Sequence, residues 1–308
     1  MSIWTSATAR AVRDGISLLA ICFTATLASA VASERASAET LSGALVKAGH
    51  NIPGLFGQQP PVKENTHGEL REIEQGVLHI AVQCYMDVLR DAAIYALDND
   101  NVEVVEEQLQ LTRDHLPAGQ ASAPDIVQIE ARLGEAHSLA ESARATLKAS
   151  IANYRQVIGD KPDVLEPGAL PEQVLPVSLE AALAIVQGTS ASAGADRHPS
   201  AIRQAVETAW SAFADARTEV DTANARVQTA TEARDRTRDA VEAGKMTSLD
   251  ALDAQQSLLK ARVELIIAQH RRIVAGYTVL ASIGRLSPEA LGLPAPAQVT
   301  AHLETTPE

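Results

Sequence analysis

With 308 residues, 3% aromatics and an apolar fraction of 46% that is largely alanine, the chain suits close helix–helix contact rather than a thick globular core. A net charge of −13 argues against a nucleic-acid partner, since phosphate binding needs a basic face. Beyond the N-terminus no run of 18 apolar residues occurs, so no transmembrane helix is predicted.

Residues 1–38 read as a signal peptide and processing region. Arg10 and Arg13 precede the apolar run ISLLAICFTATLASA (16–30), and small-residue cleavage sites follow at Ala28-Ser29-Ala30 and Ala36-Ser37-Ala38. Cys22 is not a lipid anchor site on this reading, because Ile21 stands where a small residue is needed. Cleavage after Ala30 leaves 24 basic against 38 acidic residues, a balance of −14. It also leaves Cys84 as the one cysteine, so the mature chain can form no internal disulfide.

The first helical repeat spans 39–168. It opens with a short amphipathic helix, TLSGALVKAG (40–49), followed by Asn51-Ile52-Pro53. A long helix from about Glu69 to Leu116 carries Val88, Tyr95, Val102 and Leu109 every seven residues, and Pro117 and Gly119 break it. At about 1.5 Å per residue it reaches roughly 70 Å, too long to fold into a ball without neighbours along its length. The return helix pairs Ile126, Leu133, Ala140, Leu147 and Tyr154 with Ile129, Ala136, Ala143 and Val157. GDKPDVLEPGALPEQVLP (159–176) is too rich in proline and glycine to be helical.

The second repeat, 169–294, has the same plan. SLEAALAIVQG (178–188) is the short helix, and His198-Pro199 leads into the long one. Val206, Phe213, Val220 and Val227 alternate with Ala209, Ala216, Ala223 and Ala230, a seam of large and small knobs that weakens at Arg234. Gly244 ends that helix. A second starts near Thr247 with Leu252, Leu259, Ile266, Ile273 and Leu280 on its seam, and stops near Gly284, before Pro288. Residues 295–308 form a flexible C-terminal tail.

The two halves are copies. Thr112/Thr237, Arg113/Arg238, Asp114/Asp239, Ala118/Ala243, Gly119/Gly244, Asp125/Asp250 and Gly159/Gly284 all differ by 125, a register chance does not hold. Both turns continue as S/T-x-x-D, at Ser122–Asp125 and Thr247–Asp250, a capping box in which the acid favours the positive end of the helix. Asp253, three residues after Asp250, lies on the same helical face. No HExxH, G-x-S-x-G, Walker loop or G-x-G-x-x-G occurs, and nothing points to an enzyme, a cofactor or a metal.

GKMTSLDALDAQQSLLKARVELIIAQHRRIVAGYTVLASIGRL resembles the last hairpin of the TolC-like outer-membrane efflux proteins. REIEQGVLHIAVQCYMDVLRDAA and DIVQIEARLGEA resemble helices of that family's first half. The resemblance covers most of the chain after residue 39, and tandem duplication is itself a family trait. It implies an all-α protomer of two tandem long antiparallel coiled-coil hairpins. Three copies would form an α-barrel tunnel across the periplasm, as a homotrimer working with a periplasmic adaptor (membrane fusion) protein and an inner-membrane pump.

In the family each repeat also carries a hairpin of an outer-membrane β-barrel. A barrel strand needs about 9–11 alternating residues, and neither 54–68 nor 196–205 provides them. The family places the turns at Gly119 and Gly244 at the periplasmic tip, Asp125 at a gating contact, and Asp250 and Asp253 in acidic rings around the pore. Its tip arginine falls here at Met246, beside Lys245, and its frequent tyrosine at Val241. The function implied is a passive exit duct for type I secretion or multidrug efflux, in the outer membrane and facing the periplasm. The other reading is a barrel-less periplasmic scaffold, or a relative that has lost its function.

The tripartite start yields an expectation for maturation. Exported protein should begin just after Ala30 or Ala38 in N-terminal sequencing, and a chain still starting at Met1, or bearing lipid on Cys22, would contradict it.

Overall fold

A computed structural model of the chain describes residues 38–51, 66–119, 121–193 and 199–292. Its helices are α1 (Leu41–His50), α2 (Thr66–His115), α3 (Ala123–Ile158), α4 (Leu179–Ala193), α5 (Pro199–Glu242) and α6 (Ser248–Ser282). The fold is all-α, and among the described residues the one β pairing is an isolated parallel bridge between Glu39 and Leu165. The signal segment, most of the stretches searched for barrel strands (54–65 and 196–198) and the tail 295–308 lie outside the described residues. Residues 66–68 and 199–205, which complete those two stretches, are helical.

The long helices end where their sequence stops supporting them. Pro117 lacks the amide a continuing helix would need, and α2 closes two residues earlier. At the end of α5, Lys245 donates its amide to the Ala240 carbonyl (2.8 Å) and Gly244 donates to Val241 (2.9 Å). This double closure requires a left-handed residue, and Gly244 supplies it at φ 70°. Gly119 copies that angle and donates to Leu116, so the duplication extends to the backbone of the turn.

α2 packs along α3, α5 along α6, and α2 along α6, which sets the four long helices side by side in the order α3–α2–α6–α5. Most predicted seam positions are buried: Val88, Val102 and Leu109 on α2, Val206, Phe213 and Val220 on α5, Leu252, Leu259, Ile273 and Leu280 on α6, while Tyr95, Val227 and Ile266 are half-buried. α6 adds Leu258 and Val279, both fully covered. An inner helix with partners on two sides needs a second seam, and Leu258 and Val279 supply it beside the predicted one.

The main core lies at the end away from the Gly119 and Gly244 turns. There Leu45, Leu78, Val82, Tyr85, Tyr154, Ile158, Val206, Tyr277 and Leu280 join all but the tip-side helix ends. The inter-repeat segment straps this end. Glu39 donates to Val164 (2.7 Å) and Glu166 donates back to Glu39 (2.9 Å). The Tyr85 hydroxyl sits 2.7 Å from the carbonyls of both Glu39 and Glu166, and its single proton serves one at a time. Asn51 donates its amide to the Gln156 and Val157 carbonyls, satisfying orphan acceptors at the end of α3. Burial pushes the Cys84 thiol up to about 11, which makes it an inert packing residue.

The strap touches α6 where that helix has no side chain. A Cβ on Gly276 would stand 2.4 Å from Leu170 Cδ2 and 3.3 Å from Phe213 Cε2, and Tyr277 donates its hydroxyl to the Ala169 carbonyl at 3.1 Å. Gly276→Val should therefore destabilise the fold by about 1–3 kcal/mol, read as a lowered urea midpoint in circular dichroism. An unchanged midpoint would show that the strap does not press on α6.

Candidate functional site: the paired tips and the charged stripe of α6

Two turns, Gly119 and Gly244, stand at the same end of the hairpins, each followed by a capping box. Ser122 accepts from the Asp125 amide (3.4 Å), and Asp125 accepts from the Ser122 amide (2.9 Å) and hydroxyl (2.7 Å). Thr247 and Asp250 repeat this at 3.2, 2.8 and 2.7 Å. Bonds from the Ser122 hydroxyl and amide hold the Asp125 carboxyl below its ordinary value, and bonds from the Thr247 amide and hydroxyl do the same for Asp250. Both acids are thus engaged within their own turns. Lys245 contributes its backbone amide to the turn, and among the described residues its side chain has no ion-pair partner. Met246 is exposed beside it.

Asp253 is different. Its carboxylate meets the Arg132 guanidinium of α3 at 2.5 Å, so α3 reaches past α2 to touch α6 on this face. Beneath the pair, Val105, Leu109, Ile129 and Leu252 form a small apolar cluster that joins the two hairpins near the tips. A cleft of about 30 Å³ beside it is lined by Asn101, Arg132, Glu135, Leu252 and Gln256. Nothing in the sequence linked Arg132 to Asp253, because the two belong to different repeats and only the α3–α2–α6 arrangement brings them together.

The pair is one of three on a single stripe. Asp253, Glu264 and Arg271 are spaced by 11 and 7 residues, close to three and two helical turns, so they share one face of α6. Glu264 takes Arg226 of α5 at 2.8 Å, and Arg271 takes Glu219 of α5 at 2.7 Å. These two pairs border an open groove of about 540 Å³ between α5 and α6. The Arg132–Asp253 pair is largely exposed, at 33% and 63%, and such pairs contribute only about 0.2–1 kcal/mol. That is too little to hold two hairpins together. Its consequence is electrostatic.

Further from the tips, α2 and α6 are joined by polar contacts. Asp87 accepts from Arg90 (2.7 Å) and lies 2.8 Å from His270 of α6, while Arg90 grips the buried Asp91 through Nε and Nη2. Ser150 of α3 donates to Asp91 at 2.5 Å. The network therefore runs across three helices. Burial opposes the charge on Asp87, but His270 and Arg90 outweigh it and leave its carboxyl below the ordinary value. Among the described residues no cluster of His, Cys, Asp and Glu is arranged to hold a metal ion, and no helix is long and apolar enough to cross a membrane.

No protein-family model matches the chain. The outer membrane efflux protein BepC of Brucella suis biovar 1 (strain 1330) is 27% identical over 303 residues, taking in 73% of this chain and 66% of its own length. The chain is thus similar in sequence to an outer-membrane efflux protein. Solved structures share its fold. The Vibrio cholerae outer membrane protein VceC covers 79% of this chain and 74% of its own, with TM-score 0.55 and 11% identity. The Campylobacter jejuni CmeC outer membrane channel covers 79% and 67%, with TM-score 0.53 and 12% identity. The chain spans just under two thirds of the length of BepC, and the matched stretch of 303 residues is longer than the part of this chain that enters it. Some of BepC within the match thus has no counterpart here.

The two caps generate a pH expectation. A carboxyl whose folded pKa is depressed contributes stability above its unfolded value and loses it as pH falls through the folded one. Hydrogen exchange should show the Ser122 and Thr247 amides, which donate to the two carboxylates, protected at pH 5 and released below about pH 3.8, the ordinary aspartate value. Asp125→Asn and Asp250→Asn should abolish that acid-dependent release at their own turns, and release unchanged in these variants would contradict the assignment.

Proposed function

We propose that the chain builds the wall of a passive exit duct for efflux or type I secretion, as a homotrimer standing in the periplasm. The observation that supports this best is the open layer α3–α2–α6–α5. Its two edge helices, α3 and α5, each pack along one long helix, and α3 leaves Val127 uncovered (64%) on the face opposite its buried Ile129. Amphipathic helices exposed in this way call for further helices alongside. If the α3 edge of one copy meets the α5 edge of the next, the contact is head-to-tail, and such contacts generate rings when the rotation closes. The number three comes from the family.

In this reading the turns at Gly119 and Gly244, with Asp125, Lys245, Asp250 and Asp253, form the narrow periplasmic end. That end meets an adaptor protein and an inner-membrane pump, which supplies the energy. The chain itself performs no chemistry. Localisation follows the relatives, at the outer membrane facing the periplasm.

A second reading, a barrel-less periplasmic scaffold, is favoured by two observations. Part of BepC's matched length has no counterpart here, and the residues next to both expected barrel positions are helical. Cell fractionation separates the two: a duct partitions with the outer membrane and a scaffold with the soluble periplasm.

Assembly is the first thing to measure. Light scattering of the purified mature chain should give a particle of three copies, and Val127→Glu, placed on the α3 edge, should shift it toward single chains without loss of helicity. A parent that stays monomeric at high concentration would sink the tunnel.

A further inference from the structure

Asp250 and Asp253 sit on one face near the tip, where two acids per copy would give a duct a cation-attracting mouth. The geometry alters that expectation. On one stripe of α6, Asp253, Glu264 and Arg271 each meet a charge of opposite sign from a neighbouring helix: Arg132, Arg226 and Glu219. Of these partners, Arg132 alone comes from the other repeat. Lys260, about two turns beyond Asp253, is an exposed further cation on that stripe.

We infer that Arg132 sets the charge preference of the passage at its tip, by neutralising Asp253. This rests on the duct reading above. A guanidinium 2.5 Å from a carboxylate leaves no net charge for an ion several ångströms away, whatever the small stability of the pair itself. With Arg132 in place, the ring of Asp253 carboxylates contributed by the copies is electrically balanced. A polyvalent cation at Asp253 then meets a balanced pair, and of the acids near the tip Asp250 and Glu135 keep their charge. Without Arg132 the same ring presents one free carboxylate per copy, converging on a common axis, which is the chemistry of a hard-cation site. Arg132 is thus a specificity-determining residue that weakens cation binding at Asp253.

The test is terbium(III) luminescence on the full mature chain, with light scattering on the same samples. Arg132→Gln should bind terbium at least tenfold more tightly than the parent. Arg132→Lys should stay near the parent because it keeps the charge. The double variant R132Q/D253N should return to the parent. An assembled Arg132→Gln protein with no gain, or a gain that survives in the double variant, overturns the inference. A parent found as single chains overturns the duct reading instead, and the inference falls with it.

Discussion

The side-by-side packing of α2 on α6 carries the rest of this architecture. Each repeat can form its own hairpin from its own heptads, but a hairpin alone has an apolar stripe and nothing beyond it to define a wall. Once α2 lies along α6, four helices share one layer, the two turns fall at the same end, and residues from different repeats meet. The contact is apolar at its two ends, in the main core and in the small Val105–Ile129–Leu252 cluster. Between them it is polar, through Asp87, Arg90 and His270. A buried charge that lost its partner would be costly, so this network favours one register of α2 against α6 over its neighbours.

Alanine is what makes the layer thin. Ala209, Ala216 and Ala223 on α5 are buried under α6, and Ala136, Ala140 and Ala143 on α3 under α2. Small knobs bring helix axes close and leave little room for a thick interior, so stability comes from contact along the length of the helices. The same economy leaves α3 and α5 each with a long helix along one side among the described residues.

The tips show how one motif acquires two electrostatic outcomes. The capping boxes are local, and each acid is hydrogen-bonded within its own turn. Asp253 lies one turn further on, beyond the cap, where only a residue from another helix can reach it. Whether it offers free charge depends on Arg132, a residue that belongs to the other half of the duplication.

The sequence by itself determined the helices, their heptad seams, the turns at Gly119 and Gly244, the capping boxes and the duplication. These rest on spacings of three, four and seven residues, or on the conformational limits of proline and glycine, and short-range physics decides them. It also carried the likeness to the efflux family through motifs such as LDALDAQ. What only the tertiary structure decided is the second seam of α6, the strap of 159–176 across Gly276, and the pairing of Asp253 with Arg132. Each joins residues far apart in the chain, and no periodicity encodes which of two identical-looking repeats will lie beside the other, or on which face. That is settled by the summed packing of α2 on α6, and the charge at the tip follows from it.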